Sequence, residues 1–343
     1  MKKMILGFAM AWSSVTIVAA EISSCVDEID DGLRLACYDK ANKRFETSSQ
    51  TSDRVPANVK NANSDIGQEL SAMSKFWELG SADKRNTFVV RTYLPNFLLP
   101  FHYTSNMNRA PHSPTQPAGP ANNRDYRDIE AKLQISLRAK VVEDLFLPGA
   151  DLWAAYTQRS LWQLWDSGDS SPFRSTDYQP EMIYVVPVPA RFGTLPLGWN
   201  LRMLQLGFAH QSNGQSDPLS RSWNRITAGV GFEHGEYSVQ IRGNQRIRLQ
   251  GKDDNPDLAD YIGRGEVNMA WAPGASTLGV TWRTNLKSAS RGSLQVDWTY
   301  PVFANQPTGL RWYVQLFHGY GETLLDYNQR QSSLGLGLTL FQF

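Results

Sequence analysis

His210 and Ser212 stand two residues apart at the end of one alternating segment, and Asn224 stands near the start of the next. A hydroxyl beside an imidazole, with a third polar group to hold the ring, is the layout of a nucleophile, its general base and the base's orienter. In such a site Ser212 attacks an ester carbonyl. His210 takes its proton and passes it to the leaving alcohol. Asn224 fixes the tautomer of the imidazole through a hydrogen bond. Being neutral, it stabilises the imidazolium less than an Asp would. The H-x-S spacing alone is a weak signal, so the elements that carry these residues must decide.

Residues 198–212 and 222–233 each alternate with a period of two. In the first, Leu204, Leu206 and Phe208 share the even face with His210 and Ser212, while Gln205, Gly207, Ala209 and Gln211 share the odd face. In the second, Ile226, Ala228, Val230 and Phe232 share the even face with Asn224. An apolar face opposite a small or polar one fits a barrel wall with lipid outside and a polar lumen inside. If the two segments form one hairpin, Asn224 lies beside His210. All three polar groups then point at lipid, where they are costly and mark a functional site by default. A substrate carbonyl reaches that place only as part of a lipid.

The rest of the chain agrees with a barrel. Its 343 residues allow one large domain or two ordinary ones. The 34 basic and 33 acidic side chains nearly cancel, which argues against a nucleic-acid partner. A mean hydropathy of -0.41 is too polar for a bundle of membrane helices. Eleven Trp, 13 Tyr and 15 Phe are a heavy aromatic load for so polar a chain. Two cysteines cannot build a Cys-based zinc or iron–sulfur centre.

About twelve strands are expected, near 88–100, 129–142, 151–166, 180–190, 198–212, 222–233, 236–249, 259–271, 276–287, 290–301, 309–320 and 332–343. Tight turns at His234-Gly235, at Pro273-Gly274 and around 289–292 are expected on one rim. Long polar loops at 101–128, 167–179, 213–221, 250–258 and 321–331 are expected on the other. An even strand count keeps both chain ends in the periplasm and the long loops outside. The last segment puts Leu334, Leu336, Leu338 and Leu340 on one face and Gly335, Gly337 and Thr339 on the other. It stops on Phe343, which is similar to the assembly signal of bacterial outer-membrane barrels.

The N-terminal residues 1–20 read as a secretory signal peptide: Lys2 and Lys3, an apolar core, then Ala19-Ala20. Cys25 and Cys37 follow, in an oxidising compartment where a local disulfide is expected. Residues 45–70, rich in Ser, Asn, Thr and Gln, read as a polar linker. The expected organisation is a signal peptide (1–20), a periplasmic Cys-containing segment and linker (21–85), and an outer-membrane barrel (86–343).

The segment HQSNGQSDPLSRSWNR at 210–225 resembles the signature of the bacterial outer-membrane phospholipase A family. YTQRSLWQLW at 156–165, SSPFR at 170–174, DDNPD at 253–257 and GYGETLLDYN at 319–328 are also similar to that family. The resemblance implies a twelve-stranded barrel, calcium-dependent hydrolysis of phospholipid acyl esters, and activation by homodimerisation. It implies Ser212 as nucleophile, His210 as base and Asn224 as orienter, with the Gly214 amide donating to the oxyanion. It implies a calcium ion held by the Ser220 hydroxyl, the Gln215 carbonyl and the carbonyl of Ser170 of the partner subunit, with Asp254 at a second calcium position. Gln215 replaces an Arg that is common in the family, a change that a carbonyl ligand tolerates. Oxygen-only ligands suit calcium. Asp217 reads as a turn former or salt-bridge partner rather than a ligand.

A dimer has independent support. Gln158 lies mid-strand on the lipid face with Leu152, Ala154, Tyr156, Ser160, Trp162 and Leu164. An amide there seeks a partner across an interface, or within its own subunit at Ser160, for about 0.6–2 kcal/mol. His102, His112, His234 and His318 read as loop or rim residues with no metal-ligand spacing. Asp253, Asp254 and Asp257 lack EF-hand spacing. Arg159, Arg225 and Gln163 are expected to line a lumen filled by side chains. The expected protein is therefore an outer-membrane, calcium-dependent phospholipase A. The alternatives are a non-catalytic barrel, such as a narrow porin, and a soluble secreted esterase built as a β-sandwich.

Overall fold

The computed structural model describes residues 71–118, 125–169, 172–248 and 253–340. The expected signal peptide, both cysteines, the linker at 45–70, Ser170 and residues 341–343 lie outside the described residues.

The sorting of side chains is the reverse of that in a water-soluble protein. Leu204, Leu206, Phe208, Ile226, Leu294, Leu316 and Leu336 are exposed, while Glu130, Lys132, Arg174, Glu322 and Asp326 are buried. Apolar outside and ionic inside is what a chain does when its solvent is lipid. Backbone polar groups in lipid must all be paired, which only a closed sheet achieves with strands. No helix among the described residues is long and apolar enough to cross a membrane.

Twelve long antiparallel strands close the ring: β2 (Asn96–Ser105), β3 (Ile129–Val142), β4 (Asp151–Trp162), β5 (Phe173–Pro187), β6 (Asn200–Ser212), β7 (Ser222–His234), β8 (Tyr237–Ile247), β9 (Gly265–Trp271), β10 (Thr277–Thr284), β11 (Gly292–Pro301), β12 (Leu310–Gly319) and β13 (Gln331–Leu340). A two-residue strand, β1 (Arg91–Thr92), adds to β3. Each strand pairs with its neighbours in sequence, and β13 pairs with β2 to seal the barrel. At that seam a Cβ on Gly337 would sit 2.1 Å from the Leu98 carbonyl oxygen, so only glycine lets the strands approach.

Four expectations need correction. The first wall strand is β2, not 88–100, so His102 is on a strand and fully buried rather than in a loop. β5 starts at Phe173 rather than near 180. Its inward residues Arg174, Ser175 and Asp177 read as a loop in sequence because their partners are lumenal. β9 begins only at Gly265, after a 3-10 turn at Leu258–Asp260. Finally, the 285–291 connection lies on the rim of the long loops, because strand order alternates the rims. The opposite rim is not uniformly tight either. Its 188–199 connection holds a helical turn, α2 (Ala190–Gly193).

The lumen is crossed by side chains at both ends. At the periplasmic end α1 (Ala72–Trp77) is capped by Ser71, and Glu233 accepts from the Met73 amide at 2.7 Å. Trp77 packs edge-on against Tyr93 and Trp153. The Arg138 guanidinium lies over Phe76 and Trp77. At the outer end residues 322–327 are buried. Glu322 accepts from Lys132 at 2.7 Å and contacts His102 Nε2 at 2.9 Å. Arg174 bridges Glu130 and Asp326. Arg159 donates to Gln134 Oε1, and Gln163 donates to Glu130 at 2.9 Å. A cavity of about 350 Å³ remains in the lumen, lined by Arg159 and Glu322 toward the outer end and by Met73, Thr277 and Leu340 toward the periplasmic end.

Candidate active site on the outer wall

The β6–β7 hairpin carries the site. Its register sets His210 opposite Asn224 and Ser212 opposite Ser222. Leu204, Leu206, Phe208, Ile226 and Ala228 on the same faces are exposed, so the even face does point to lipid. Buried Ala209, Trp223 and Arg225 form the other face. His210 Nδ1 lies 2.8 Å from Asn224 Oδ1. The amide oxygen can only accept, so Nδ1 carries the proton and Nε2 presents its lone pair. Ser212 stands at i+2 on the same face, two positions nearer the outer rim. Among the described residues its hydroxyl makes no hydrogen bond to the ring. Such contacts commonly tighten only when substrate binds.

The loop after Ser212 is held from within. Asn213 is buried, donates to the Leu219 carbonyl at 2.7 Å and accepts from the Arg221 amide at 2.9 Å. Gly214 is exposed with φ 63°, a conformation that favours glycine. A Cβ there would come 2.9 Å from the Tyr178 ring. The backbone of Gly214 is therefore bare two residues after Ser212, which suits an oxyanion donor.

The oxygen-rich cluster sits on the same rim. Ser220 Oγ donates to Asp254 Oδ2 at 2.7 Å, joining two loops. Gln116 Nε2 donates to both Asp217 Oδ1 (2.6 Å) and Asp254 Oδ1 (3.0 Å). The Gln215 amide approaches Asn213 Oδ1 at 3.4 Å. Among the described residues no group of three or more His, Cys, Asp or Glu is packed as a metal cluster. A cation there would take hydroxyl and carbonyl oxygens beside a carboxylate, a hard donor set that fits calcium and not zinc.

Sequence reading missed several supports. Ser113, Thr115 and Gln116 reach across from the 106–118 loop to Asp253 and Asp254. No local pattern signals a contact 138 residues away. Arg221 is fully buried, donates to the Ser220 and Pro218 carbonyls, and has two further nitrogens without partners among the described residues. Burial lowers its pKa, opposed by Tyr327, Asp254, Asp257 and Asp217.

A closed barrel with ionic interior, apolar wall and a Ser/His/Asn constellation at its outer rim defines a bacterial outer-membrane β-barrel hydrolase. The chain belongs to the phospholipase A1 family, whose model matches residues 73–340. It is 42% identical over 299 residues to a protein named as a phospholipase A1 in Neisseria meningitidis serogroup B, covering 83% of this chain and 73% of that one. It is 34% identical over 255 residues to phospholipase A1 of Escherichia coli K12, covering 74% and 82%. Among solved structures it resembles an active-site mutant of outer membrane phospholipase A from Escherichia coli, with TM-score 0.68, 30% identity, and coverage of 79% and 99%. It also resembles the Salmonella typhi outer membrane phospholipase, solved as a dimer with bound calcium, with TM-score 0.66, 31% identity, and coverage of 79% and 98%.

Proposed function

We propose that this enzyme is a calcium-dependent phospholipase A that cleaves acyl esters of outer-leaflet phospholipids, including lysophospholipids, through Ser212, His210 and Asn224. The observation that carries the reading is the His210–Asn224 hydrogen bond on a lipid-facing wall, with a serine on the same face.

His210 Nε2 removes the Ser212 proton as Oγ attacks the acyl carbonyl. Asn224 keeps the ring in the tautomer that allows this. The Gly214 amide donates to the oxygen that becomes negative. The imidazolium then protonates the leaving alcohol. Water, activated by the same ring, releases the fatty acid. Ser220, Gln215 and Asp254, with Ser170 of the partner subunit, would hold calcium. When bound, the ion supplies positive charge beside the oxyanion. Activity then requires a homodimer, because one ligand comes from the partner. Disrupted membranes would supply both phospholipid in the outer leaflet and subunit encounters. A signal peptide (1–20) and a periplasmic segment with Cys25 and Cys37 complete the proposed organisation. The filled lumen disfavours the porin alternative.

A lipophilic fluorophosphonate tests the assignment directly. The folded, calcium-loaded protein should be labelled at Ser212 alone, and His210→Ala should abolish the labelling. Labelling at another serine in hydrolytically active protein would overturn the triad.

A further inference from the structure

A second polar cluster faces outward at the outer rim, five strands round the barrel from the His210–Asn224 hairpin. His318 on β12 pairs in register with Leu294 on β11 and Ser332 on β13, and Ser332 pairs with Ser105 on β2. His318 Nδ1 lies 2.7 Å from Ser332 Oγ. Arg330 Nη2 lies 3.0 Å from His318 Nε2. Both Arg330 and His318 are exposed. One layer deeper on the same face stand Leu316, Leu334 and Tyr103, all exposed and apolar.

The hydrogen-bond directions decide what the cluster can do. A guanidinium only donates, so Nε2 accepts and Nδ1 carries the ring proton. Nδ1–H therefore donates to Ser332 Oγ. The serine's own proton is not being abstracted, so this is no second nucleophile–base pair. It leaves the Ser332 O–H and the remaining Arg330 N–H groups as free donors. Among the described residues Arg330 makes no ion pair. Donors and positive charge above an apolar layer match one ligand chemistry: a phosphate group carried on acyl chains. Arg suits it because its fork can grip two phosphate oxygens at once.

We propose that Arg330 and Ser332, held in place by His318 between them, bind the phosphate of an anionic lipid in the outer leaflet, at a site separate from the catalytic wall. The site rests on the barrel's orientation and not on the triad. Lipid held there would tie this wall of the barrel to its surrounding leaflet.

The test uses full-length Ser212→Ala protein in dodecylmaltoside with EDTA, isotope-labelled at histidine. Its five His signals include His318, assigned by His318→Gln. Dioleoyl phosphatidic acid should move the His318 signal saturably, and dioleoylglycerol should leave it in place. Arg330→Gln should raise the half-saturating lipid about tenfold, as loss of a charge-assisted contact does. The His210 signal reports active-site occupancy separately, so failure of one site cannot pass for failure of the other. No movement of His318, equal movement with dioleoylglycerol, or an unchanged response in Arg330→Gln would overturn the proposal. Half-saturation by inorganic phosphate at the same concentration would overturn the lipid as ligand.

Discussion

At the scale of single residues the proposed chemistry turns on the ring of His210. Among the described residues it is Asn224 Oδ1 that meets the ring, at 2.8 Å from Nδ1. A neutral orienter contributes tautomer and direction but little charge stabilisation. Asn224→Ala should therefore lower kcat about 10- to 100-fold, the cost of one well-placed hydrogen bond. KM should change little, and Asn224→Asp should restore most of the rate. Steady-state kinetics on mixed micelles measures both. An Asn224→Ala enzyme at full rate would show that another group orients the ring.

At the scale of elements, strands and loops differ in how legible they were. The outer part of the β6–β7 hairpin could be read from sequence because both faces alternate cleanly from Met203 to Ser212, and a one-residue slip would turn Leu204 and Leu206 inward; at Arg202 the pairing shifts, and that side chain bonds the buried Glu233. β2 and the start of β5 could not. Their inward residues, His102, Thr104, Arg174 and Asp177, are polar because lumenal partners satisfy them, and polar runs look like loops. The same limit hid the bonds from Ser113 and Gln116 to Asp254. The sequence resemblance named Ser220 and Asp254 as separate positions, and the structure shows them bonded to each other. The outer loops are also tied by Tyr327, which is fully buried and donates to Asp257. Burial, then the hydrogen bond and charge of Asp257, raises the Tyr327 pKa. A raised pKa in the fold means stability that is full below the unfolded phenol value, about 10, and is lost as pH climbs beyond it. Alkaline titration of the refolded barrel should loosen the outer loops above about pH 10. Limited proteolysis should show the outer loops of Tyr327→Phe cut faster already at neutral pH, with the alkaline step reduced. An unaltered alkaline step in that variant would assign it elsewhere.

At the scale of the whole molecule, the wall that carries Gln158 stands two strands from the triad hairpin. Tyr156 Oη donates to Gln158 Oε1 at 3.2 Å, so the amide's oxygen is satisfied within the subunit by Tyr156 rather than Ser160. The amide's N–H groups have no partner among the described residues, which favours a bond across an interface. Gln158→Leu should shift the dimer dissociation constant about 3- to 30-fold, the range of intramembrane hydrogen bonds of about 0.6–2 kcal/mol. Analytical ultracentrifugation in detergent reads this, and an unchanged constant would move the interface off this wall. The plugged lumen has the complementary meaning. With buried residues 322–327 and their ion pairs across the outer end of the lumen, a lipid would reach the proposed site from the outside of the wall.

The proposed chemistry needs serine, calcium and lipid ester in one site. Fatty-acid release from phospholipid micelles by detergent-refolded protein tests it most directly, with calcium, with excess EDTA, and beside Ser212→Ala. The expected result is release with calcium, near-complete loss in EDTA, and a fall of about 10⁴-fold or more in Ser212→Ala, as for other serine hydrolases. Release that persists in Ser212→Ala, or that is indifferent to EDTA in protein shown to be folded, would contradict it.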